Sequence, residues 1–150
     1  MGTVDKLAEA ADDAEAQYKQ TSAGLRETQN ALSAINERIH YTGLYLSHKA
    51  LYRQFLSAKD KGAFRTAHKT EIDEYEDAVS HLKAVYPDGV FPSMKELKAE
   101  KTRLTYQRSQ QKAALRPLSE QRGQMRVITG NVKAILGKNV LIRDRGYPQL

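Results

Sequence analysis

One periodicity constrains this chain more than any other feature. From Val4, steps alternating between three and four residues pass through Leu7, Ala11, Ala14, Tyr18, Thr21, Leu25, Thr28, Leu32, Ile35, Ile39, Thr42 and Leu46. Ten of these thirteen positions are apolar and three are threonine, whose methyl group can face an apolar seam. A stripe held for about six heptads commits a long helix to a coiled-coil partner. Thr3 is placed to cap its start and Asp5 suits its dipole. Nothing interrupts the pattern strongly before Lys59-Asp60-Lys61-Gly62, so the first helix is predicted over about 3–57.

Beyond Gly62, Ile72, Tyr75, Val79, Leu82 and Tyr86 repeat the rhythm with Glu71, Asp73, Glu74, Glu76 and Asp77 outside them, which predicts a shorter amphipathic helix over about 63–86. Pro87-Asp88-Gly89 closes it, and Val90-Phe91-Pro92 forms an extended connector. Ser93-Met94-Lys95-Glu96 is a capping box, which opens a third helix. Leu97, Leu104, Leu118, Met125 and Val132 recur in it at multiples of seven, interrupted by Gln111 and flanked by Ala114, Ile128 and Ile135. Pro117 removes one helical hydrogen bond and predicts an irregularity near 113–117. Gly137 predicts the end of the helix at about 136. The expected fold is all-α. It is an elongated antiparallel coiled-coil hairpin of two long helices, 3–57 and 93–136, joined through the shorter one. Residues 1–137 would form one helical domain and 138–150 a flexible tail.

Composition excludes several classes of chemistry. The 150 residues contain no cysteine, so disulfides, thiolate zinc sites and cysteine nucleophiles are ruled out, and a reducing cytoplasmic setting is expected. No run of about 18 apolar residues calls for a membrane. The stretch HYTGLYLSHKALYRQF, residues 40–55, concentrates two histidines and three tyrosines. His40 and His48 stand eight apart, whereas helical metal ligands need spacings of three or four. Tyr41, Tyr45 and Tyr52 fall on one helical stripe with Leu44, Leu51 and Phe55 around them, and such a stripe is expected to pack. No glycine-rich phosphate loop and no calcium-loop pattern occurs. The expectation is a chain with no catalytic residue, metal or cofactor.

Charge is unevenly distributed. Residues 1–94 carry 11 Lys and Arg against 14 Asp and Glu, whereas 95–150 carry 13 against 4. Lys98, Lys101, Arg103, Arg108, Lys112, Arg116, Arg122 and Arg126 make a basic face on the third helix. Such a face can contact nucleic-acid phosphates without reading sequence. In a hairpin the acidic start of the first helix would lie beside this segment and neutralise part of it. A protein partner or self-association through the coiled coil is the other partner reading, and it predicts no DNA binding.

Three stretches carry a resemblance. Arg38-Ile39-His40-Tyr41, Leu51-Tyr52-Arg53-Gln54-Phe55 and Phe64-Arg65-Thr66-Ala67-His68-Lys69-Thr70-Glu71-Ile72 resemble the helical region that follows the nuclease domain in relaxases, the mobilisation nucleases of bacterial conjugative elements. The likeness extends through 91–100 to Asn131-Val132-Lys133-Ala134-Ile135-Leu136. The nucleophilic tyrosine near the N-terminus and the histidine cluster of those nucleases have no counterpart, so no position inherits a catalytic role. The resemblance implies a non-catalytic helical module for docking or DNA contact in plasmid or conjugative-element mobilisation.

Overall fold

A computed structural model describes the backbone of residues 2–144 and the side chains of 2–137. Among the described residues the chain forms four helices and no strand: α1 (Thr3–Ser57), α2 (Lys61–Ala67), α3 (Lys69–Val85) and α4 (Met94–Asp144). The all-α fold and the two long helices match the sequence expectation. The chain divides into two compact units, one of residues 28–106 and one that joins the start of α1 to the greater part of α4. In each of them α1 runs antiparallel to α4.

In the unit of residues 28–106, heptad positions meet as side chains. Leu32 and Ile35 of α1 bury against Leu97 and Leu104 of α4, with Ala31 and Ile39 beside them. Ile72, Ala78 and Leu82 of α3 are fully buried, and Phe55 nearly so. The start of α4 is fixed as its capping box predicts: Glu96 N–H donates to Ser93 Oγ at 3.1 Å and Ser93 N–H donates to the Glu96 carboxylate at 3.0 Å. Gly89 takes φ +76°, which closes the turn after α3.

The short central helix expected over 63–86 is two helices. Asp60 caps α2 by accepting the Ala63 N–H at 3.0 Å, so helix begins at Lys61. The backbone then breaks at His68, whose φ of −126° and ψ of 36° are non-helical. The break leaves Phe64 stacked on Phe55, with ring centroids 6.2 Å apart, and lets α3 start afresh with Ile72 buried.

In the other unit the α1 row Leu7, Ala11, Ala14, Tyr18, Thr21 and Leu25 faces inward as read, while Val4 stays largely exposed. The facing row of α4 differs from expectation. The half-buried positions are Gln111, Leu115, Leu118, Arg122, Met125, Thr129 and Val132, and Ala114, Ile128 and Ile135 are exposed. The heptad continues in three-four steps from Leu104 through Arg108, so polar residues occupy places where an apolar count looks for alanine and isoleucine. Gly24 lies where a β-carbon would stand 3.3 Å from the end of the Gln111 side chain, a close approach of α1 to α4.

The end of α4 also departs from expectation. The helix passes through Pro117 and through Gly137 to Asp144. Ala113, whose carbonyl loses the proline's missing donor, is exposed, so water can replace that bond. A single helical glycine costs only about 1 kcal/mol, too little to stop a helix that need not turn. Of the tail expected at 138–150, residues 138–144 are therefore helical in backbone, and 145–150 lie outside the described residues.

Truncating Ile72 to alanine should lower stability by about 2–4 kcal/mol, while Leu56→Ala, at a position 56% exposed, should change it by no more than about 0.5 kcal/mol. Thermal or urea unfolding followed by circular dichroism separates these outcomes.

Candidate functional site

The histidine and tyrosine stretch of α1 is a packing surface. Tyr52 and Tyr45 both stack on Tyr75 of α3, with centroids 4.1 and 5.5 Å apart, and Phe91 meets the edge of Tyr45 at 5.5 Å. Burial among these rings raises the Tyr75 phenol above its ordinary value of 10.0, with Tyr45 and Tyr52 adding to the effect. The histidines are spread among different partners. His48 Nε2 lies 2.7 Å from Glu74, His81 stacks on Tyr41 at 4.1 Å and lies 3.4 Å from Asp77, and His68 rests against Phe64. Among the described residues no group of three acidic or histidine side chains is placed to hold a metal ion.

The eight basic residues predicted as a nucleic-acid face are divided between the two units and differ in their surroundings. Lys98, Lys101 and Arg103 belong to the unit of residues 28–106, and the other five to the second unit. Arg103 is engaged by Glu100 at the preceding turn through two hydrogen bonds, Nε to Oε2 at 3.0 Å and a terminal nitrogen to Oε1 at 2.5 Å. That pairing holds the Glu100 carboxyl below its ordinary range and raises the guanidinium. Lys98 and Lys101 are exposed, and with Lys95 they step by three along one flank of α4. None of the three forms an ion pair among the described residues. Lys95 lies inside the capping box that opens α4.

In the second unit, Arg122 and Arg108 occupy seam positions and are half-buried, which removes them from any outward face. Arg122 donates from Nε to Glu15 Oε2 at 2.6 Å, and its guanidinium carbon lies 4.2 Å from the Tyr18 ring centroid. Arg126 reaches the same carboxylate at 3.3 Å. One acidic residue of α1, Glu15, thus answers two bases of α4, Arg122 and Arg126, in the sense the hairpin reading expects. Arg116 makes an exposed pair with Glu120 at 3.6 Å, worth little in water, and Lys112 is exposed without an ion pair among the described residues. The sequence signal that separates the two sets is heptad phase: Arg108 and Arg122 are in phase with Leu115 and Leu118, and Lys112 and Arg116 are not.

No described helix is long and apolar enough to cross a membrane. No family model matches the chain, and no curated protein or solved structure matches it.

The hydrogen bond from Arg122 holds the Glu15 carboxyl below its ordinary value of 4.5, with Coulombic help from Arg122, Arg126 and Lys19 and opposed by partial desolvation. A depressed carboxylate contributes stability above its unfolded pKa and loses it as pH falls through the lowered folded value. Glu15→Gln should therefore melt below the unaltered protein at neutral pH, and the gap should close in acid below that range. Melting temperatures of both proteins across a pH series check this.

Proposed function

We propose that this chain is a non-enzymatic helical module that contacts DNA through its phosphate backbone, without reading sequence, as part of a relaxase-like mobilisation apparatus. The observation that carries the reading is the row Lys95, Lys98 and Lys101, three exposed ammonium groups on one flank of α4 with no carboxylate paired to them among the described residues. Unpaired lysines at one-turn spacing release counterions when they meet phosphates, and their affinity falls with salt. Lys112 of the other unit has the same character. Arg103, Arg108, Arg116, Arg122 and Arg126 stand outside the leading set because each sits in a seam or is paired with a glutamate. The resemblance to the helical region of relaxases supplies the setting, a module that accompanies a nuclease and does no cutting itself.

The test is binding to single- and double-stranded DNA of unrelated sequences over a salt series. Affinity should be similar across sequences and fall steeply as salt rises. Replacing Lys95, Lys98 and Lys101 with alanine should reduce the magnitude of the slope of log affinity against log salt by about 2–3. Binding absent at low salt, or unchanged by the triple replacement, would overturn the assignment.

A second reading, association between proteins through coiled-coil contact, is favoured by the exposed isoleucines of α4, Ile128 at 44% and Ile135 at 60%.

A further inference from the structure

The apolar stripe of α1 runs past the start of the helix that covers it. Thr42 is buried, but Leu46, the next position of the stripe, is 51% exposed, because α4 begins only at Met94 and an extended connector precedes it. That connector turns at Gly89 and holds Pro92, so it does not supply the helical turn that would fill the seam. A hollow of about 260 Å³ is left between the α1 face of Thr42, Tyr45, Leu46 and Lys49 and the segment that carries Phe91 and Met94. All of it belongs to the unit of residues 28–106.

We propose that this hollow binds a small aromatic carboxylate with a polar group at its far end, the acid paired with Lys49 and the polar group with Thr42.

Thr42 is the one buried residue among those that line the hollow, and its Oγ1 has no hydrogen-bond partner among the described residues. Helical threonines often donate to the carbonyl four residues back, as Thr66, Thr102 and Thr105 do at 2.9, 3.0 and 2.7 Å. Thr42 does not, which leaves its hydroxyl for a partner from outside α1. Lys49 supplies the charge. It is half-buried, its ammonium lies 5.3 Å from the Tyr45 ring centroid, and it forms no ion pair among the described residues. Side chains on a helix lean toward its N-terminus, so this ammonium reaches back along α1 in the direction of Thr42.

No carboxylate lines the hollow, and the positive end of the α4 dipole lies beside it. A single uncompensated cation matches a single carboxylate, whereas a phosphate dianion would call for more charged donors. The remaining walls are apolar. Phe91 meets Tyr45 edge to face at 5.5 Å, and Leu46 and Met94 complete them, which suits a flat ring. The end of the Met94 side chain lies 3.9 Å from where a β-carbon on Gly43 would stand, next to Thr42. An unbranched thioether changes rotamer readily, so it can yield to a ligand that reaches the hydroxyl.

Titration of the full chain with para-hydroxybenzoate, followed by NMR of the methionine methyl groups, tests the proposal. A saturable shift of the Met94 signal is expected. Para-hydroxybenzamide, which lacks the charge, and benzoate, which lacks the hydroxyl, should each bind about tenfold more weakly. Lys49→Gln should remove the preference for acid over amide, and Thr42→Val the preference for the hydroxylated ring. A merely structural effect of either change would leave both preferences in place. Thr42→Val should also melt no lower than the unaltered protein, because it replaces an unpaired buried hydroxyl with a methyl group of similar shape. Leu46→Trp, at an exposed position, fills the hollow and should remove binding without loss of helicity by circular dichroism. Absence of saturation, preferences that survive Lys49→Gln and Thr42→Val, binding unaffected by Leu46→Trp, or acetate and inorganic phosphate binding as tightly as para-hydroxybenzoate would overturn the assignment. A Thr42→Val protein that melts well below the unaltered one would show that the hydroxyl is already satisfied, and would overturn it equally.

Discussion

The interaction on which this structure depends is burial of the α1 heptad stripe against α4. Where both rows are aliphatic, at Leu32, Ile35, Leu97 and Leu104, the crossing closes into a core. Fully buried leucine or isoleucine contributes about 1.5–3 kcal/mol, and this cluster holds four such residues. The aromatic cluster formed by Tyr45, Tyr52, Phe55 and Tyr75 docks α3 on the same region of α1. Within residues 28–106 apolar contact therefore sets the register of α1 against both α3 and α4.

The other unit uses the same geometry with different chemistry. Its α4 row includes Gln111, Arg122 and Thr129, so the register is fixed by the Glu15 carboxylate receiving Arg122, and by that guanidinium lying on Tyr18. A partly exposed ion pair specifies alignment better than it stabilises it. This distinction divides the basic residues of α4. Arg108 and Arg122, in heptad phase with the leucines, sit in the seam, whereas Lys112, out of phase, is exposed without an ion pair among the described residues.

The sequence made α1 readable from Leu7 to Thr42 because its stripe keeps one phase there, with Thr28 and Thr42 buried among the apolar residues, whereas its two end positions, Val4 and Leu46, are exposed. The capping box at Ser93 was equally legible, since its hydrogen bonds are local. The phase of α4 was harder to read. Ala114, Ile128 and Ile135 are apolar and periodic, yet they form a second stripe, and the residues that complete the seam are polar ones whose partners on α1 lie about a hundred positions away in sequence. Glu15 and Arg122 cannot be paired without a fold to bring them together. The break at His68 left no composition signal, because it comes from α2 and α3 each packing its own ring or aliphatic face. Gly137 reads as a helix end only if the chain has somewhere else to go, and α4 continues instead. On the functional side, the charge asymmetry was legible as a total, whereas which bases are unpaired required the ion pairs themselves.

The central proposal is that unpaired lysines of α4 meet DNA, while its arginines lie in the seam or are paired with glutamates. Lysine footprinting tests it most directly, by comparing modification with an amine-reactive reagent, read by mass spectrometry, with and without a DNA duplex. The account predicts that DNA protects Lys95, Lys98 and Lys101 and leaves Lys49, which lies over the Tyr45 ring, and Lys83 as reactive as before. Equal reactivity of all lysines with and without DNA, or protection centred on Lys49 and Lys83, would contradict it.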